Sequence, residues 1–261
     1  MRFTPPPLEI GDKDGFANTD IFEYAEFGER FANLVCNLEQ SLTVVLDGPW
    51  GSGKSTFIKQ WAGLLRDTGA PVILFDAFAN DHHEDAFTAL AGEIVAVAQD
   101  QLGSSNSQTQ KLVRSATKVS RAIMPLATRI GVRAGTLGLI SVDDVEDAGE
   151  AAKAILKDMG NEAAKAADKA VRERVTKARD ERLELQGFRE QLAEMAEGLA
   201  NKASKNFSDE QRRPLVFIVD ELDRCRPPFA VNLLERVKHL FSVPGVVFVL
   251  VTNLDLSLIH I

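Results

Sequence analysis

A chain of 261 residues, 45% of them hydrophobic, can bury one sizeable core, either as a large α/β domain or as a domain carrying an insertion. Its 38 acidic against 30 basic residues give a formal net charge of -8. That balance argues against a dedicated nucleic-acid surface, since phosphate contacts need clustered Lys and Arg, though it leaves room for a local basic patch. The two cysteines, Cys36 and Cys225, lie far apart and in no metal-ligand spacing, so free thiols in a reducing cytoplasm are expected.

In chain order, residues 1–20 are rich in Pro, Gly and Asp and read as an irregular lead-in, with no long apolar run of the kind a secretory signal needs. Within residues 22–38, Phe27, Phe31, Leu34, Val35 and Leu38 recur at helical spacing. Residues 42–46 form a short apolar run closed by Asp47-Gly48-Pro49, which predicts a buried strand. An amphipathic helix is predicted over 55–66, a second strand over 71–75 and a helix over 85–99. Residues 101–110, rich in Ser, Gln and Asn, read as a loop.

Residues 122–142 are the most apolar stretch of the middle region. Arg129 and Arg133 fall inside it, and each would cost about 2.5–3.5 kcal/mol at a bilayer centre. With Pro125 also present, a buried or surface-lying helix is expected rather than a membrane span, and membrane association is not favoured. Residues 142–200 are rich in Ala, Glu, Lys and Arg. Ala152, Ile155, Met159, Ala163, Ala167 and Val171, and then Leu185, Phe188, Leu192, Met195 and Leu199, recur every three or four residues. The Ala-rich seam drifts in register, which favours packed amphipathic helices over a coiled-coil arm.

A third strand over 214–219 leads into Asp220. A helix is predicted over 229–241 with Val231, Leu234, Val237 and Leu240/Phe241 on one face, and a fourth strand over 246–251 follows the turn at Gly245. Apolar strands alternating with helices define an α/β fold with a parallel sheet. The expected organisation is a lead-in over 1–20, a core from 21–100 and 211–255, a helical insertion over 101–210, and a tail over 256–261.

Gly48-Pro49-Trp50-Gly51-Ser52-Gly53-Lys54-Ser55, continued by Thr56, spells GxxxxGK[ST] between a predicted strand and a predicted helix. Glycines let backbone amides turn inward around a phosphate, and the helix presents its positive end to the anion. Lys54 would neutralise the β- and γ-phosphates, and the Ser55 hydroxyl would ligate Mg²⁺. The alternative is an ordinary Gly-rich turn, but it leaves the strand, the helix and a downstream acid unexplained. That acid is Asp220-Glu221, directly after Leu215-Val216-Phe217-Ile218-Val219. Asp220 suits the metal, and Glu221 suits a base that orients and deprotonates water, unless it merely caps the next turn.

Asp223 and Arg224 either pair with each other or reach the nucleotide. Asn253, after the fourth strand, is a candidate for sensing the γ-phosphate or else a turn Asn. Trp50 could stack on a base, cover the phosphates or pack under the loop. Asp81-His82-His83-Glu84-Asp85 has the composition of a zinc site, but adjacent residues do not share a helix face. A solvated turn leading into a helix is expected there.

Together these segments resemble the KAP family of P-loop NTPases. Asp20-Ile21-Phe22 with Glu29-Arg30-Phe31-Ala32-Asn33-Leu34 resembles the family's helix before the phosphate loop, and the Trp-containing loop itself resembles its Walker A motif. Phe75-Asp76-Ala77-Phe78 resembles the second-strand motif, with Phe where the family usually has Trp. Val219-Asp220-Glu221-Leu222-Asp223-Arg224-Cys225 resembles the Walker B run. Leu233-Leu234-Glu235-Arg236-Val237-Lys238-His239-Leu240-Phe241, followed by Val243-Pro244-Gly245-Val246, resembles the stretch beyond it.

The resemblance covers about residues 15–100 and 185–253. It implies an additional-strand sheet in which the Walker B strand is separated from the phosphate-loop strand, with ATP and Mg²⁺ as cofactors. It also implies ATP hydrolysis coupled to a conformational or assembly switch. Bacterial members of the family are associated with phage defence and membrane-linked complexes. The helical insertion would supply the surface for a protein partner or for self-assembly. A nucleotide-gated scaffold with little turnover is the alternative, and a small-molecule phosphotransferase ranks last because no Arg-rich lid is evident. Without an Asn-Lys-x-Asp motif, ATP is expected over GTP. Residues 256–261 do not resemble the family's continuation and read as a non-native tail. On that reading a further strand, a helical lid and any arginine finger are missing, the phosphate-loop strand stands at an open sheet edge, and turnover is weak or absent.

Overall fold

The four apolar runs become four strands: β1 (Leu42–Asp47), β2 (Val72–Asp76), β3 (Leu215–Asp220) and β4 (Val246–Thr252). A computed structural model describes them within residues 10–17, 20–37, 40–123, 179–203 and 213–254. All pairings are parallel and the order is β1-β4-β3-β2, so β4 separates the strand before the phosphate loop from the strand that ends in Asp220. This is the additional-strand sheet the sequence predicts. β4 is buried along its whole length and β3 up to Val219, which is why both read as unbroken runs of Val, Ile, Leu and Phe. β1, expected to be buried, instead alternates: Leu42, Val44 and Leu46 are half-buried against one helix-covered face, while Thr43, Val45 and Asp47 are exposed, because the strand lies at the edge of the four-stranded sheet. The register sets Asp47 beside Thr252 and Asp76 beside Asp220, so the carboxyl ends of the strands share one rim.

On one face of the sheet, α1 (Ala25–Cys36) and α2 (Lys54–Asp67) cover Val216, Ile218, Val247, Val249 and Val251. Asp20 starts α1, its carboxylate accepting from the amides of Tyr24 and Ala25 at 2.8 Å each. Phe31 stacks on Trp61 at 4.4 Å, and the buried Trp61 indole donates to the Gly28 carbonyl at 3.0 Å. Leu34, expected on the apolar face of α1, is exposed, while Gly28, Ala32 and Cys36 join Phe31 and Val35 inside.

The opposite face is covered by α3 (Ala86–Leu102), by α5 (residues 179–203) from residue 186 onward, and by α6 (Pro227–Arg236), which runs into a π-helical turn at Val237–Phe241. Phe87, Phe188, Phe241, Phe248, Phe217 and Phe75 form a chain of ring contacts between 5.0 and 6.2 Å. Burying each such ring contributes about 1.5–3 kcal/mol of transfer free energy, so this cluster and the Trp61 cluster clamp the sheet from both sides.

Two further expectations need correction. The loop predicted over 101–110 shrinks to residues 103–106, because α3 runs to Leu102 and α4 (Ser107–Ile123) begins directly after. Asn106 starts α4 by accepting the Gln108 amide at 2.8 Å, and Leu112 and Ala116 bury its apolar stripe. The face of α6 keeps the expected Val237, Leu240 and Phe241 but differs in its first half. Phe229, Leu233, Val237 and Phe241 point inward at intervals of four, whereas Val231 is exposed and Leu234 only half-buried. The π-helical turn keeps the four-residue stripe in phase past Arg236.

By packing, the chain divides into two units: Met1–Lys118 with Gln186–Ile261, and Val119–Leu185. The first holds the sheet and the helices around it. In the second, the described residues are the helical stretches 119–123 and 179–185. No helix of the described residues is long and apolar enough to cross a membrane. Most of the apolar stretch 122–142, the Ala-rich seam from Ala152 to Val171, and the tail 256–261 lie outside the described residues.

Candidate functional site

At the end of β1 the chain turns through Gly48–Gly53 into α2. The loop is closed locally: the Gly48 amide donates to Thr252 O at 3.3 Å, and the Ser52 amide and hydroxyl both donate to Pro49 O, at 3.3 and 2.8 Å. Gly51 and Gly53 have φ of 79° and 84°, a left-handed conformation that L side chains rarely adopt. Gly53 is the N-cap of α2 and brings no side-chain acceptor, so the first amides of a 14-residue helix face the loop without a side-chain cap. Lys54 Nζ donates to Gly48 O at 2.5 Å and Pro49 O at 3.1 Å, which leaves the third ammonium proton for another acceptor.

The second half of the site comes from the end of β3. The Ser55 hydroxyl donates to the Asp220 carboxylate, and the Glu221 amide donates to Asp220 Oδ1 at 2.9 Å. Burial pushes the Asp220 carboxyl above the usual carboxylate range. The Ser55 and Glu221 hydrogen bonds oppose the shift, and the neighbouring Asp76 charge adds to it. Glu221 has φ 60° and ψ 28°, a left-handed backbone at a non-glycine residue. Burial raises its carboxyl too, and Arg224, whose Nη1 lies 2.7 Å from Glu221 Oε2, pulls it back. Leu222–Arg224 form a short 3₁₀ turn, and the Glu221 side chain makes no capping bond to it.

The two halves meet around a cavity of about 330 Å³. Trp50, Gly51, Gly53, Lys54, Ser55 and Thr56 line it from the loop, and Asp220, Glu221, Asp223 and Arg224 line it from the strand end. Of the sequence-predicted residues, Gly48 and Pro49 contact the cavity's lysine through their carbonyls, and Ser52 braces the loop from behind. Asn253 is buried directly after β4 and is not among the lining residues.

Three features were not singled out from the sequence. Asp223 does not pair with Arg224 but accepts the Trp50 indole N–H, Nε1 to Oδ2, at 2.5 Å. Arg224 turns to Glu221 and lies 6.0 Å from the Trp50 ring. Asp76 stands next to Asp220 in register and acts on its charge, a neighbour that the strand-end logic used for Asp220 would have found.

Asp81-His82-His83-Glu84-Asp85 serves the fold. Asp81 pairs with Arg226 at 3.4 Å, and Asp85 caps α3 at the Phe87 amide and pairs with Arg236 at 2.5 Å. Among the described residues no group of three or more His, Cys, Asp or Glu is placed to hold a metal ion. That is compatible with Mg²⁺, which takes one or two protein oxygens and completes its shell with phosphate and water. The adjacent Ser55 and Asp220 oxygens suit such an ion, and the glycine loop, the open helix start and Lys54 suit a phosphate chain. A comparison with curated proteins returns no match. The model of the KAP family P-loop domain matches residues 24–256, from the helix before the loop to just past β4. The chain belongs to the KAP family of P-loop NTPases, and nucleotide binding comes with that membership.

Proposed function

We propose that this chain binds ATP with Mg²⁺ and hydrolyses it, coupling turnover to a conformational or assembly switch. The observation that carries the reading is the single cavity lined by Lys54 and Ser55 from the phosphate loop and by Asp220 and Glu221 from the strand end. Bound Mg²⁺ would supply charge for the developing negative oxygens. Ser55 and Asp220 would hold that ion, and Lys54 with the loop amides would hold the β- and γ-phosphates. Glu221, facing the same cavity, would orient a water and take its proton. Asn253 is proposed to sense the γ-phosphate from the end of β4. ATP is proposed over GTP from the family together with the lack of a guanine-reading Asn-Lys-x-Asp segment in this sequence. A cytoplasmic setting and a partner or self-assembly surface on the middle helices are part of the same proposal. A role in phage defence is carried by the family association alone.

The test is a Glu221→Gln variant followed by calorimetry and phosphate release. It is expected to bind Mg·ATP like the parent while turnover falls by about 10²-fold or more, the usual contribution of a general base. Hydrolysis at the parent rate would remove Glu221 from the reaction.

A further inference from the structure

We propose that Arg224 is a positioning residue that fixes the Glu221 carboxylate, and that Trp50 and Asp223 tie this arginine to the phosphate loop. The inference rests on the assignment of Glu221 as the base.

The left-handed backbone at Glu221 starts a tight turn that returns Arg224 over the carboxylate, Nη1 to Oε2 at 2.7 Å. The turn is closed by the Arg224 amide, which donates to Glu221 O at 3.2 Å, and by the Cys225 thiol, which donates to the same oxygen at 3.5 Å. A non-glycine residue is held in this conformation only where its surroundings fix it, and here the Glu221 amide is bonded to Asp220 Oδ1 at 2.9 Å and its carbonyl to the Arg224 amide and the Cys225 thiol, which leaves Arg224 to fix the side chain. Arg224 is in turn placed by the phosphate loop. Trp50 is 61% exposed, an unusual position for so large a ring, and its indole N–H is bonded to Asp223 at 2.5 Å. This holds the ring 6.0 Å from the Arg224 guanidinium.

The base, the arginine and the phosphate loop therefore form one chain of contacts across the mouth of the cavity. Each contact lies at the cavity mouth and is weak by itself, and together they restrict one half-buried carboxylate. A planar guanidinium can face the ring and the carboxylate at once. A lysine would keep the charge and lose the fork.

Mg·ATP binding by calorimetry and steady-state turnover, measured on the parent, Arg224→Ala, Arg224→Lys, Trp50→Phe and Glu221→Gln, test the proposal. Arg224→Ala is expected to lower kcat about tenfold or more while Kd stays within about threefold, the split of a residue acting on the chemical step. Arg224→Lys should recover part of the loss. Trp50→Phe, which keeps the ring and removes the N–H, should lower kcat by a smaller factor. Adding Arg224→Ala to Glu221→Gln should cost nothing further, because the group it positions is already gone. Arg224→Ala turning over at the parent rate or faster overturns this inference and leaves the base in place. A parent without turnover, or Glu221→Gln at the parent rate, overturns the base assignment and this inference with it.

Discussion

Asp220 and Glu221 are chain neighbours with different attachments: one is bound by the Ser55 hydroxyl across the loop, the other by Arg224 within its own turn. Burial raises the Asp220 carboxyl above 3.8, its ordinary value, so the folded chain holds that proton more tightly than the unfolded one. An acid shifted upward stabilises the fold below its unfolded value and costs stability as pH rises above it. Asp220→Asn is therefore expected to raise Tm by a few degrees at pH 7 in the absence of nucleotide. The gain should shrink to nothing as pH falls below 3.8, as read by thermal melts across that range. An unchanged or lowered Tm at pH 7 would mean that the charge is not paying a burial cost.

Cys225 follows the same physics. Burial, then the charges of Asp81, Asp76, Asp223 and Glu221, push its thiol up to about 12. The thiolate is the reactive form, so iodoacetamide at pH 8 should modify the native chain at Cys225 more than about 100-fold slower than an unfolded control. Comparable rates would show an open, ordinary thiol.

At the scale of elements, the strands were legible because each is a dense apolar run ended by turn residues. The order of the sheet was implied by the family resemblance, in which the Walker B strand is separated from the phosphate-loop strand. The face of α6 was legible only in its second half: Val237, Leu240 and Phe241 are buried as expected, but Val231 and Leu233 are equally apolar and only the stripe through Phe229, Leu233, Val237 and Phe241 tells them apart. Leu233→Ala should cost about 2–5 kcal/mol, while Val231→Ala should stay within about 0.5 kcal/mol, measured by urea unfolding. Equal costs would contradict this register.

The loop predicted over 101–110 failed for a related reason. Its Ser, Gln and Asn composition resembles linker, but one Asn at position 106 caps a helix whose apolar residues begin at Leu112. In the phosphate loop, Gly53→Ala should cost about 1–3 kcal/mol of stability from the left-handed φ of 84° and should weaken nucleotide binding as well. A neutral effect on both would remove the conformational reason for glycine there.

For the whole molecule, the site lies where the sheet's topology puts it, at the carboxyl ends of parallel strands, beside the strand inserted between β1 and β3. The residues proposed to hold phosphate and metal were readable because their spacing is fixed by a single short loop and one strand end. The Trp50–Asp223 bond was not, because its partners lie 173 positions apart and only the sheet order brings them together. The most direct test of a phosphate cradle at this loop is a calorimetric titration of ATP into the parent and into Lys54→Ala, with and without Mg²⁺. Saturable binding by the parent, weakened at least about tenfold without Mg²⁺ or without the lysine, is the expected result. Equal binding by parent and Lys54→Ala, or none by the parent, would contradict it.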